Sequence, residues 1–224
     1  MLVGIPAFNE ASAIGKVIKK IPHRINGITK IQVLVVNDGS IDDTDKVAKR
    51  SGAFVLNHLI NRGLGGALKT IFEYARLMKY DILVTCDADG QHEGKDVIRL
   101  VKPLLQNKKD VVIGVRWQNK KKLPFRRLLV NQIANLLTFM LCGIYTSDSQ
   151  SGMRSFSKKA IKSINIQTDG MEVSSEIFRE IKNKKLSLSE VPIKAIYTQY
   201  SQSKGQKITD APDVLFRLIL RLIR

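Results

Sequence analysis

Apolar residues along the first half of the chain fall into short, nearly continuous runs separated by longer mixed stretches. Leu2 to Pro6, Ile31 to Asn37, Ala53 to Asn57, Asp81 to Asp87 and Asp110 to Val115 are such runs, and each predicts a buried strand. The stretches between them predict helices over Glu10 to Ile21, Asp43 to Arg50, Leu64 to Lys79 and Lys95 to Gln106. Strands of this kind alternating with helices imply an α/β fold, with a mainly parallel central sheet flanked by helices on both faces. Ligands of such sheets bind beyond the carboxyl ends of the strands.

The second half is less regular. No charged residue occurs from Leu128 to Ser147, yet Asn131, Gln132, Asn135 and Thr138 place one polar stripe on an apolar helix. That pattern is too polar to span a bilayer and suits a helix that lies on one or packs as a lid. Gly152 to Phe156 and Leu186 to Tyr197 add strands, with a helix from Glu172 to Lys184 between them. The chain shows no internal repeat. It reads as one domain over residues 1–210 followed by a helix over 211–224. Within that helix Arg217, Arg221 and Arg224 fall at i, i+4 and i+7 along an otherwise apolar run. Such a basic amphipathic helix lies on lipid headgroups, packs against a partner, or packs on the core with its arginines at the rim.

Charge narrows the choice of partner. A formal net charge of +17 means either a lysine-rich solvated surface or a negative partner: nucleic acid, an anionic membrane surface or a phosphorylated substrate. Part of it is concentrated, for Arg116, Lys120, Lys121, Lys122, Arg126 and Arg127 fall in a segment without an acid. The lysines are not interleaved with stacking aromatics, and the usual nucleic-acid-binding motifs are missing, which argues against nucleic acid. Cys86 and Cys142 lie far apart and form no Cys-x-x-Cys pair, so buried thiols are expected. Neither a signal-peptide pattern nor an apolar run long enough for a membrane-spanning helix is visible.

Three segments at strand ends carry candidate chemistry. Asp87 and Asp89, two apart at the end of a strand, should project to one side. Two hard carboxylate oxygens there suit Mg2+ or Mn2+ carrying a diphosphate, and Gln91 adds a neutral oxygen. Asp38-Gly39-Ser40 is a turn signature, with Asp38 either capping the following helix or accepting a hydrogen bond from a nucleobase ring N–H. Glu10 opens the first expected helix, where a carboxylate also complements the dipole. The run Arg62 to Ala67 fails as a dinucleotide fingerprint and contains no Walker lysine. A calcium loop starting at Asp87 fails because its sixth position is His92 rather than glycine. His92 is expected to orient the loop.

In this order, Ile5 to Glu10, Val35 to Thr44, Asn61 to Ala67 and Asp87 to His92 strongly resemble the family-two glycosyltransferases, which have the GT-A fold. Ser151 to Phe156 resembles the Ser-Gly-Phe-Arg segment of the branch containing the dolichyl-phosphate mannose synthases. The resemblance covers roughly residues 2 to 205. It implies that Pro6, Phe8, Glu10, Val36 and Asp38 hold the nucleoside, and that Asp87, Ala88, Asp89 and Gln91 form the metal and diphosphate cradle. It also implies that Arg116 and Arg127 lie close to the phosphates or the acceptor, with Arg126 as the other register. Tyr197 to Gln206 departs from the mannose synthases, which usually carry arginine where Thr198 stands. It looks more like the Lys-Gly-Gln variant of prokaryotic polyprenyl-phosphate glycosyltransferases, and it retains Lys204.

The chemistry of a lipid phosphate fits this reading. Its second pKa is near ~6, so it is an anionic nucleophile at neutral pH and needs no strong base. What the reaction needs is charge neutralisation on the leaving nucleoside diphosphate. The expectation is therefore an inverting, metal-dependent glycosyltransferase. Its donor would be a nucleotide sugar, GDP-mannose or a UDP-hexose, and its acceptor a polyprenyl or dolichyl phosphate. It would sit peripherally on the cytoplasmic face of a membrane, with Asp89, Arg116, Arg127 and Lys204 carrying catalysis. The alternatives are a family-two enzyme with a soluble or protein acceptor and a non-catalytic basic domain that binds nucleic acid.

Overall fold

The computed structural model describes residues 1–116 and 125–196, without the side chains of residues 125–130 and 141. Lys204, the expected helix over 211–224 and the side chains of Arg126 and Arg127 lie outside the described residues.

Seven strands form one sheet: β1 (Leu2–Ala7), β2 (Gln32–Asn37), β3 (Phe54–Asn57), β4 (Ile82–Thr85), β5 (Val111–Val115), β6 (Arg154–Ser157) and β7 (Leu188–Pro192). Their order is β3-β2-β1-β4-β6-β5-β7. The pairs β1–β2, β1–β4, β2–β3 and β5–β7 are parallel, with Pro6 beside Val36 and Val36 beside Leu56. The mainly parallel sheet expected from the pattern is present. The exception is β6, which runs antiparallel between β4 and β5.

The helices are α1 (Ile14–Lys20), α2 (Thr44–Arg50), α3 (Gly63–Leu77), α4 (Asp96–Leu105), α5 (Phe125–Cys142), α6 (Lys158–Ser163) and α7 (Val173–Asn183). Helix α6 is an element the hydrophobic pattern did not reveal. Helix α1 starts four residues later than expected. Asn9 takes a left-handed backbone (φ 54), and the Glu10 carbonyl accepts from the N–H groups of Ala13 and Ile14, so residues 10–13 form a turn. Glu10 therefore does not sit in the first turn of a helix.

Successive strand residues point to opposite faces, which is why near-continuous apolar runs serve two cores at once. Val3, Ile5, Val35, Val84 and Val112 face Ile14, Val17 and Ile18 of α1 and Val97, Leu100 and Leu104 of α4. Leu2, Leu34, Leu83, Val111 and Phe156 face Leu68, Ile71 and Phe72 of α3 and Ile177, Phe178 and Ile181 of α7. Full burial of each such side chain contributes about 1.5–3 kcal/mol. Gly4 is required where α3 crosses β1, because a Cβ there would run into the Ile71 side chain.

The chain builds outward from β1 through β2 to β3, then returns to the other side of β1 with β4. The crevice beyond the ends of β1 and β4 is thus a topological switch point, the usual ligand position in such sheets.

Candidate active site

Strand β4 ends at Thr85, two residues earlier than the pattern suggested, and Cys86 N–H is anchored to Gly4 O at 3.1 Å. Asp87 and Asp89 are therefore brought together by a turn and not by strand alternation. Gly90 supplies the positive φ (76°) of that turn, and Gln91 N–H donates to Asp89 Oδ1 at 2.9 Å. The two carboxyls differ in their surroundings. Asp89 is pushed up to about 6, first by burial and then by the charge of Asp87, with Glu10 adding to it. Burial acts on Asp87 in the same direction, but the hydrogen bond from His92, with the charges of His92, Arg116 and Arg154, more than offsets it. Asp87 is left below the usual carboxylate range. His92 is the loop-orienting residue expected: its Nε2 lies 3.0 Å from Asp87 Oδ2.

Among the described residues no group of three or more His, Cys, Asp and Glu side chains stands ready to hold a metal. A cation such as Mg2+ is typically bound by one or two carboxylates plus substrate phosphates. A half-buried pair of neighbouring aspartates fits that kind of site, in which the substrate completes the coordination. Gly152 makes room for it, since a Cβ there would strike the Asp87 carboxylate. The Gly152 carbonyl is held in turn by Thr85 Oγ1 at 2.8 Å.

The loops after β1 and β2 form the next part of the rim and are stitched together. Asn9 N–H donates to Ser40 Oγ (2.9 Å), Ile41 N–H to Asn9 Oδ1 (2.9 Å), and Glu10 N–H to Thr44 Oγ1 (2.8 Å). Phe8 presents an exposed side chain (45%), and Pro6, two residues earlier, is half-buried. Val36 is fully buried against α3, so its side chain is packing, and any contact with a nucleoside falls to its backbone. Ala88 is likewise buried, in the opposite core.

Asp38 caps a helix, but α3 rather than the α2 that follows it in sequence. Its carboxylate accepts from Arg62 N–H (2.9 Å) and Gly63 N–H (2.8 Å) and lies 2.6 Å from His58 Nδ1. The glycine-rich start of α3 does not cradle phosphate either. Gly65 and Gly66 N–H donate to Asp169 O (2.8 and 3.2 Å), and a Cβ at Gly65 would collide with the Thr168 carbonyl. These glycines serve close approach of the loop before α7.

Arg116, expected from the sequence, belongs to a cluster whose other members were given no role there. Arg116, just past β5, grips Asp148 through Nε and Nη2, both at 2.7 Å. Arg154 opens β6 with a buried guanidinium. It donates from Nε to Ser151 O and from Nη2 to Ser149 O (2.8 Å each) and stands 5.3 Å from the Phe178 ring centroid. Burial lowers it to about 10, although Asp87 and Asp148 pull the other way. The segment Ser151 to Phe156 had drawn attention to Arg154 without assigning it work; no sequence signal pointed to Asp148.

Comparison with known proteins places this geometry. The profile of the family described as Glycosyl transferase family 2 matches residues 2–164. An uncharacterized protein of Methanocaldococcus jannaschii is 43% identical over 100% of the chain and 92% of its own length. The UDP-N-acetylglucosamine–dolichyl-phosphate N-acetylglucosaminyltransferase of Methanococcus voltae is 33% identical over 96% of the chain and 93% of its own. Among solved structures, glucosyl-3-phosphoglycerate synthase of Mycobacterium tuberculosis, in complex with Mn2+, UDP-glucose and phosphoglyceric acid, superposes with a TM-score of 0.74. It is 21% identical, over 99% of this chain and 78% of that one. The fold is the GT-A fold.

Proposed function

The chain belongs to glycosyl transferase family 2, and on that footing we propose that it moves a sugar from a nucleotide-sugar donor to the phosphate of a polyprenyl or dolichyl phosphate. One observation carries the reading: the Asp87–Asp89 turn meets the segment that Arg154 holds, for Gly152 lies against the Asp87 carboxylate and Arg154 binds the carbonyl of Ser151 next to it. Arg116 and Arg154 both act electrostatically on Asp87, Arg154 from a buried position. That arrangement suits two phosphate-bearing substrates, one carried by a cation and one gripped by arginine.

Asp87 and Asp89, with Gln91 beside them, would hold Mg2+ or Mn2+, whose chemistry is to neutralise charge on the leaving diphosphate. Pro6, Phe8, Glu10 and the Asp38 turn would form the nucleoside pocket, with the Phe8 ring as an apolar face for the base. Arg116, Arg127 and Lys204 would bind the diphosphate and the acceptor phosphate as they approach. An acceptor phosphate is already anionic near neutral pH, so no side chain has to remove its proton.

For the lipid tail, α5 leaves Ile133, Leu136, Phe139 and Met140 exposed. No helix among the described residues is long and apolar enough to cross a membrane. We assign the chain a peripheral position on an anionic, cytoplasmic membrane face, with the GT-A domain over 1–210 and the basic helix over 211–224 as a second contact. The dolichyl phosphate named for the Methanococcus voltae relative supports a lipid acceptor. A soluble phosphorylated acceptor is the second reading, favoured by the phosphoglyceric acid in the structural neighbour.

The test is a donor screen with UDP- and GDP-sugars against a short prenyl phosphate and, separately, phosphoglycerate. Cation-dependent formation of a prenyl-linked sugar is expected. Transfer to phosphoglycerate alone would establish the second reading instead.

A further inference from the structure

Arg116, just past the end of β5 and largely buried, is held from several atoms at once. Asp148 takes Nε and Nη2 of the guanidinium at 2.7 Å each and the Arg116 backbone N–H at 3.3 Å. One carboxylate thus fixes both ends of the side chain, and its plane with them. Two parallel charge-assisted bonds add geometric definition that a single contact lacks.

Asp148 is itself fixed from several directions. Thr146 Oγ1 and Ser147 N–H both donate to Glu190 Oε1 on β7 at 2.7 Å. Asn135 of α5 donates from Nδ2 to Ser147 O and accepts from Ser149 N–H, each at 2.8 Å. Arg154 of β6 binds the carbonyls of Ser149 and Ser151. Three separate elements therefore clamp the residues on both sides of one aspartate, whose side chain is only 1% exposed.

Stability is a poor reason for such a pair. Buried ion pairs commonly break even against apolar replacements, because desolvation cancels the attraction. Orientation is the better reason, since a guanidinium gripped along one edge has the direction of its other edge decided. Two residues before Arg116, Gly114 N–H is bonded to Met153 O at 2.9 Å, and Gly152, next to Met153, lies against the Asp87 carboxylate, so this oriented cation stands near the carboxylate proposed to carry the donor diphosphate.

We propose that Asp148 is the positioning residue for Arg116, holding its guanidinium in the direction required by the departing diphosphate. This rests on the transfer reaction proposed above. The interaction belongs to the step in which charge develops on the leaving group, so its loss lowers kcat more than it raises the donor KM.

Asp148→Asn keeps the shape and removes the bidentate charge. Its kcat for prenyl-phosphate glycosylation should fall about 10–100-fold, as for the partners that orient metal ligands, with donor KM changed less than about threefold. The deciding comparison is the cycle with Arg116→Ala: in that background, Asp148→Asn should lower kcat no further. A full, multiplicative loss in the double variant would overturn the proposal, as that would mean Asp148 acts independently of Arg116. A readout free of activity is the NMR signal of the Arg116 Nε–H. It should be sharp and slowly exchanging in the wild-type protein and averaged in Asp148→Asn; its persistence would equally overturn the proposal. If the wild-type protein glycosylates no prenyl phosphate with any donor, the reading of function has failed, and the Arg116 signal alone decides the positioning.

Discussion

Asp38 and His58, twenty positions apart on neighbouring strand ends, meet at 2.6 Å between Oδ1 and Nδ1. The other ring nitrogen of His58 reaches Thr70 Oγ1 at 2.9 Å, on the second turn of α3. Asp38 also binds the first N–H groups of that helix. One aspartate thereby ties β2, the β3–α3 loop and α3 into a single unit beneath the proposed nucleoside pocket, with its side chain almost withdrawn from solvent.

Asp38→Ala should therefore cost stability as well as affinity. Two helix N–H groups and a buried imidazole lose their partner, which amounts to about 2–3 kcal/mol, or roughly 4–12 °C in Tm for a chain of this size. Thermal melting alongside calorimetry with UDP and GDP separates the two effects. Weaker nucleotide binding at an unchanged Tm would mean that the ligand, and not the helix, is the main partner of this carboxylate.

Asp89→Asn should abolish most transfer while leaving the fold intact. Loss of a metal carboxylate removes several kcal/mol of charge stabilisation, about 100–1000-fold in rate. Near-normal turnover in saturating Mg2+ or Mn2+ would remove Asp89 from the metal site.

The same variant carries a pH signature in chelator. Asp89 has its folded pKa raised from 3.8 to about 6, so the folded chain binds this proton more tightly than the unfolded one. The stability it contributes is complete below the unfolded value and is lost as pH rises through about 6. Wild-type protein should thus lose stability relative to Asp89→Asn between about pH 4 and 7, by up to about 3 kcal/mol. Parallel melting curves across that range would contradict the burial of Asp89 and its repulsion by Asp87.

Gly152→Ala puts a methyl group against the Asp87 carboxylate. Overpacking of this kind typically costs about 1–3 kcal/mol, and the displaced carboxylate should weaken cation-dependent nucleotide binding. Unchanged binding of UDP and GDP in Mn2+ would show that Asp87 can move without consequence for the site.

Truncation after Asp213 should reduce flotation with anionic liposomes, most clearly at low salt. Arg217, Arg221 and Arg224 would each contribute about 1 kcal/mol near such a surface. Equal flotation of the truncated and full-length chains, at low and high salt, would exclude residues 214–224 as an anchor and leave α5 as the remaining candidate.

The framework was legible from the residues alone, because it depends on local pattern. Runs such as Leu2 to Pro6 and Ile31 to Asn37 became β1 and β2 within a residue or so, since strands buried on both faces must be apolar throughout. The motif order from Pro6 to Gln91 identified the family on the same local basis. Tertiary structure decided what depended on distant partners. It inserted β6 antiparallel between β4 and β5, a pairing that the sequence Gly152 to Phe156 cannot specify. It turned the expected alternation of Asp87 and Asp89 into a loop built on Gly90, and it sent the Asp38 cap to α3 instead of α2. Arg116 and Asp148 are separated by 32 positions, and their pairing required β5, α5 and β6 to be in place first. A sequence displays the charges of such residues but not their directions, because direction comes only from the elements that clamp them.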